Sequence, residues 1–188
     1  MKQKKMNTVT ICFAAMMAAM VFVVTLFRFP LLGSKVHFAN AVCLLSGMLL
    51  GPVVGGAAAG LGSALYDAFV GGYDFVNVLI TFVSKFAMAF VCAHVLRAFR
   101  SHRNTVFSAV MASVIGALTY VALYMLKSLI YACFVNVVAP DALGIHMVSK
   151  LIPSLINAAV AVVAAPIFYH VLLPVLHSAG LTAKIRGE

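Results

Sequence analysis

Tryptophan is absent from this chain of 188 residues, and acids nearly so, with Asp and Glu together numbering four. Charged residues of both signs make up only 9%. Hydrophobic residues make up 64%, more than a soluble domain of this size can hide from water. A water-soluble globular fold is therefore excluded, and lipid must be the solvent for most of the chain. The length suits one membrane domain over residues 1–188, with about six spans of about 20–25 residues and short loops.

Other absences exclude chemistry. The glycine-rich stretch "GPVVGGAAAGLG", beginning at Gly51, lacks the lysine and hydroxyl that end a G-x-x-x-x-G-K-[ST] phosphate loop. ATP hydrolysis by this chain is not expected. No H-E-x-x-H pair and no serine-nucleophile elbow occurs, so nothing supports catalysis. The histidines are scattered, and Cys12, Cys43, Cys92 and Cys133 form no C-x-x-C pair. The cysteines read as small buried hydrophobes, and neither a metal nor a cofactor is expected. No inverted repeat is visible, which disfavours a secondary transporter.

Basic residues are the one plentiful charge, 13 Lys and Arg giving a net charge of +9. Eight of the 13 lie in three places: Lys2, Lys4 and Lys5; Arg97, Arg100 and Arg103; Lys184 and Arg186. Such clustering follows the positive-inside rule for membrane proteins. No basic surface with interleaved aromatics remains for a phosphate backbone, so no nucleic-acid partner is expected.

The apolar runs predict six transmembrane helices: Thr8 to Phe27, Ala39 to Leu50, Val53 to Val70, Phe75 to Leu96, Val106 to Val135 and Ile145 to Leu176. The fold class is an all-α integral membrane bundle. The first run is too long for a signal-peptide core and further spans follow it, so it reads as a retained helix. Six spans put both termini on one side, and all three basic clusters then fall in the cytoplasm. The loops around residues 28–40, 71–74 and 136–144 fall outside the cell. The last two helices exceed what a bilayer needs, so they tilt, kink or project. Pro153, Pro166 and Pro174 are the kink candidates.

Charges inside membrane helices are costly and usually functional. Lys85, Lys127, Lys150 and Asp67 are the four within the predicted spans. Each has polar neighbours at helical spacing: Asp74, Asn77 and Thr81 before Lys85; Tyr120, Tyr124 and Tyr131 around Lys127; His146, Ser154 and Asn157 around Lys150; Gly56, Gly60 and Ser63 before Asp67. Lipid rejects such faces, so they are expected to converge on one tyrosine-lined cavity that opens outward. Snorkelling to the interface is the competing explanation for Tyr131, Lys127 and Lys150, but it does not suit Lys85. Asp67 either neutralises a pocket lysine or meets the ligand. The lysine excess favours a ligand with a carboxylate or phosphate.

Small residues recur every fourth position. Ala14 with Ala18, and Ala15 with Ala19, let another helix approach the first span. Spacing alone leaves open whether that helix belongs to this chain or to a partner. Gly51 with Gly55, and Gly56 with Gly60, read as internal packing of the third span.

The pattern as a whole resembles a known family. Its carriers are the A-x-x-x-A of the first span, the outer loop "KVHFAN", "LLSGMLLGPVVGGAAAGLGSALYD" and "ITFVSKFAMAFV". Together they resemble the substrate-binding S component of energy-coupling factor (ECF) vitamin transporters, in the branch with riboflavin-type and hydroxymethylpyrimidine-type members. The resemblance implies a binding subunit that takes one vitamin or related micronutrient from outside. It implies ligand contacts from the outer loop, here Lys35, His37 and Asn40, and from helices 4 to 6. It also implies docking through Ala14, Ala15, Ala18 and Ala19 on a membrane scaffold subunit, itself coupled to two ATP-binding subunits. Without tryptophan, any stacking on a ligand ring must come from Tyr or Phe. From the residues themselves, the expected substrate-binding set is Asp67, Asn77, Thr81, Lys85, Tyr120, Tyr124, Lys127, Lys150 and Asn157. A stand-alone secondary carrier or channel for a small polar or anionic solute is the alternative from another class.

Overall fold

The computed structural model describes residues 7–31, 34–99 and 105–182, with only the backbone of Leu31, Ser34 and Lys35. Lys2, Lys4, Lys5, Arg100, Arg103, Lys184 and Arg186 lie outside the described residues. The chain runs α1 (Thr8–Leu26), β1 (Arg28–Leu31), β2 (Ser34–His37), α2 (Ala39–Leu50), α3 (Pro52–Tyr66), α4 (Phe75–Ala98), α5 (Thr105–Ile130) and α6 (Pro140–Ser178). A π-helical turn extends α3 over Asp67–Gly71, and another extends α5 over Tyr131–Val135.

Five of the helices are long and apolar enough to cross a membrane. The α1 window has a mean hydropathy of 2.5 with only 22% of it buried inside the bundle, so most of its apolar surface faces outward, as lipid allows. The remaining helix, α2, has 12 residues and rises about 18 Å, well short of the roughly 30 Å hydrocarbon core. All of its residues are buried, and it packs against each of the other helices. A helix apolar all round belongs in the middle of a bundle, and α2 is that middle.

The segment expected as a polar loop after α1 contains an antiparallel hairpin, with Arg28 opposite His37 and Phe29 opposite Val36. The last helix begins at Pro140, ahead of the expected Ile145. Proline suits a first helical turn because its missing N–H has no partner there, and Asp141 beside it complements the helix dipole.

Close packing on one side of the bundle comes from small residues. Gly51 turns the chain between α2 and α3 at φ +86°, a conformation that favours glycine, and Pro52 starts α3. Further along α3, a Cβ on Gly60 would lie 2.9 Å from the ring and the carbonyl oxygen of Phe82, and one on Gly56 would lie 3.0 Å from the ring of Phe86. The α3 glycine face therefore lies directly on α4, where Phe82, Phe86 and Phe90 stack in a row. A packing role within this chain, expected for these glycines, is what the contacts show.

The alanines of α1 divide. Ala14 and Ala18 are half-buried against the core, and the backbone of Ala18 lies against Gly62 of α3. Ala15 and Ala19 are exposed, on a stripe with Ile11 and Val23.

Candidate functional site

At the hairpin end, the helices separate around a cavity of about 360 Å³. That volume falls within the range of small-molecule sites, about 300–1,000 Å³. Its lining comes from both strands of the hairpin and from every helix except α2.

Nine of the expected residues line it: His37, Asp67, Thr81, Lys85, Tyr120, Tyr124, Lys127, Lys150 and Asn157. The four stripes read from helical spacing do meet in one place. Asn40 does not line the cavity; it is buried on α2 and accepts a hydrogen bond from Lys85 Nζ. Nor does Asn77, which bonds Asp74 through both its backbone N–H and its side-chain amide at the start of α4. The side chain of Lys35 lies outside the described residues.

Lys85 forms the floor. It lies about 15 Å along α4 from Phe75 and is only 3% exposed. Its sequence neighbours Phe82 and Phe86 lie on Gly60 and Gly56, so Lys85 is level with the glycine face of α3. A lysine at membrane depth costs about 3 kcal/mol unless something solvates it. Here the Asn40 carbonyl accepts from Nζ, and the Tyr120 ring lies with its centroid 3.8 Å away. Tyr120 stacks in turn on Tyr124, with ring centroids 6.1 Å apart.

Two more cations sit over tyrosine rings nearer the rim. Arg28 of β1 lies 5.2 Å from the Tyr66 ring centroid, and Lys127 lies 5.5 Å from that of Tyr131. Asp67, the only lining acid among the described residues, is within Coulombic reach of both Lys85 and Lys127. The π-helical turns carry Asp67 and Tyr131, and such turns often occur at functional sites.

The hairpin is tied down at its second strand. The His37 backbone N–H donates to Asn157 Oδ1 of α6 at 2.8 Å. Pro153 of α6 also lines the cavity, and its ring nitrogen has no proton to give to the carbonyl one turn back.

Sequence reasoning missed several lining residues, among them Thr25, Tyr66, Tyr73, Ser84, Ser128 and Asn136. Helical spacing held a signal for three. Ser84 follows Thr81 by three positions, and Ser128 follows Tyr124 by four. Tyr66 held the same signal, because it follows Ser63 by three positions on α3.

The sequence profile of one family, the ECF-type riboflavin transporter S component, matches residues 5–173. The chain belongs to this family. It is thus the substrate-binding subunit of an ECF transporter and a multi-pass protein of the cell membrane. As an S component it implies a small-molecule substrate and partner scaffold and ATPase subunits. The solved structure described as the S component of a bacterial ECF transporter aligns with a TM-score of 0.65 over 89% of this chain and 96% of that one. Identity with it is 19%, so that likeness speaks to the fold. A comparison with curated protein sequences gives no match.

Proposed function

We propose that the cavity at the hairpin end is the site where this S component captures a vitamin-like micronutrient from outside the cell. The carrying observation is convergence: the hairpin and five helices bring polar and aromatic side chains to one chamber in an otherwise apolar bundle. A flavin, riboflavin or an ester of it, is the first candidate, because the family description names riboflavin. The stacked pair Tyr120 and Tyr124 suits a planar ring. The whole chain acts as one binding domain, with both termini in the cytoplasm and the hairpin outside.

In this reading the protein is no enzyme. ATP hydrolysis belongs to two partner subunits, which act through a membrane scaffold. The scaffold docks on the outer face of α1, where Ala15 and Ala19 leave a shallow strip between Ile11 and Val23. Ala14 and Ala18, expected to dock as well, are half-buried against the core, with the Ala18 backbone on α3, and we assign them to packing within the chain.

The deciding experiment is mass spectrometry of the small molecule that co-purifies with the full chain, with co-purification of scaffold and ATPase subunits as its companion. A ring-bearing micronutrient at one copy per chain is expected. Uptake into liposomes by the chain alone, with no associated subunits, would overturn this reading in favour of a stand-alone carrier.

A further inference from the structure

We propose that the ligand of this cavity carries an anionic group, a phosphate monoester or a carboxylate, which Arg28, Lys127 and Lys150 receive above the tyrosine pair. The proposal rests on the reading of the cavity as the substrate site, and it narrows the substrate class beyond a ring-bearing vitamin.

Charge count is the first argument. Four basic side chains, Arg28, Lys85, Lys127 and Lys150, line the cavity against one carboxylate, Asp67, among the described residues. Asp74 also acts on Lys127 from outside the lining, and the cations still outnumber the acids. Such an excess in one partly enclosed cavity is costly without a counter-charge.

The way these cations are held is the second argument. Arg28, Lys85 and Lys127 each lie over a tyrosine ring, at 5.2, 3.8 and 5.5 Å from the centroid. Lys85 also donates to the neutral amide of Asn40. A π-face or an amide steadies a cation but leaves its charge intact. None of these rings and amides carries a negative charge, so the lining suits an incoming anion and not a second cation.

Unmade hydrogen bonds are the third. Arg28 Nη1 and Ser154 Oγ are both buried without a hydrogen-bond partner, and both residues line the cavity. Ser154 is only 4% exposed. A buried guanidinium N–H and a buried hydroxyl both lack an acceptor that an oxyanion supplies, and Arg with an oxyanion makes the stronger, charge-assisted kind of bond.

Riboflavin and riboflavin 5′-phosphate are the matched neutral and anionic probes. Calorimetric titration of the purified full chain should show the ester binding at least about 10-fold tighter, with Lys127→Gln and Lys150→Gln each shrinking that preference. Equal or tighter binding of riboflavin overturns the proposal and leaves the flavin reading standing. If neither flavin binds, the flavin reading fails, and the anion proposal is decided by thermal shift. Inorganic phosphate or acetate, matched in ionic strength to chloride, should then raise the melting temperature of the wild type more than that of Arg28→Gln. A shift with phosphate alone assigns the phosphate monoester, and a shift with acetate assigns the carboxylate. No shift with either anion overturns the proposal.

Discussion

The first half of α3 and its last turn share one helix, yet they meet their neighbours through opposite chemistry. Gly55, Gly56 and Gly60 bring backbones together, so that α3 lies on α2 and α4 without room for a methyl group. Ser63, Tyr66 and Asp67 instead hold the helices apart around a polar chamber. Across from them α4 does the same, placing Phe82 and Phe86 on the glycines and Thr81, Ser84 and Lys85 in the cavity. In lipid, apolar burial does not drive helices together, so close backbone approach must. The packed half supplies that adhesion, and the open half can then tolerate a cavity with buried cations.

The largest expected effect comes from breaking the packed half. A Cβ on Gly55 would run into the backbone of Ser46 and Gly47, which cannot swing aside as a side chain can. Gly55→Leu should therefore cost about 3 kcal/mol or more and abolish folded, monodisperse protein in detergent. A wild-type melting curve for that variant would show that α2 and α3 do not depend on their close approach.

Next comes α1, where the packed half and the outer surface meet. Ala19→Leu should leave ligand binding and melting temperature at wild-type values while uptake in the assembled transporter is lost. Ala18→Leu should instead lower the melting temperature, because Ala18 lies against Gly62. Paired melting and uptake assays on both variants separate the two faces; identical behaviour would erase the distinction between them.

A smaller effect is expected in the open half. Lys85→Met removes a buried cation and its bond to Asn40, while keeping most of the volume. Ligand affinity should fall about 10- to 100-fold, the worth of one charge-assisted hydrogen bond. Melting temperature without ligand should stay close to that of the wild type, because losing an expensive buried charge is offset by leaving the Asn40 oxygen without its donor. Unchanged affinity in a calorimetric titration would take Lys85 out of the site.

The convergence of stripes on Lys85, Lys127, Lys150 and Asp67 was legible in the sequence because the solvent is lipid. Any helical face with polar residues every third or fourth position must turn inward, so spacing alone assembles the chamber. The hairpin was not legible. Its strands have four residues each, and so short a run shows no periodicity beside a proline and a glycine. Asn40 and Asn77 show a second limit. Both fall where a binding residue would be sought, but one spends its carbonyl on Lys85 and the other its amide on Asp74. Spacing reports which way a side chain points and says nothing of whether a nearer partner has already claimed it. The four alanines of α1 divide by face, with Ala14 and Ala18 half-buried and Ala15 and Ala19 exposed, which the A-x-x-x-A spacing does not announce.

The smallest expected effect separates the two acids of the open half. Asp67 lines the cavity, whereas Asp74 caps α4 from outside it, accepting from the Asn77 backbone N–H at 3.3 Å. The Asn77 side-chain amide holds the Asp74 carboxyl below its ordinary value; desolvation opposes it, and backbone N–H groups and Lys127 add to the lowering. A depressed carboxyl contributes stability that is fully present above its unfolded value, about 3.9, and is lost as pH falls through its folded value. Asp74→Asn keeps a good capping residue but removes the titration. The wild type should therefore exceed this variant slightly in melting temperature near neutrality, and the gap should close as pH falls below about 4. Ligand affinity should not change in Asp74→Asn, while Asp67→Asn should alter it, because only Asp67 faces the chamber. A melting-temperature gap that stays constant down to acid pH would mean that the Asp74 cap does not depend on its charge, and the contrast between the two acids would then rest on position alone.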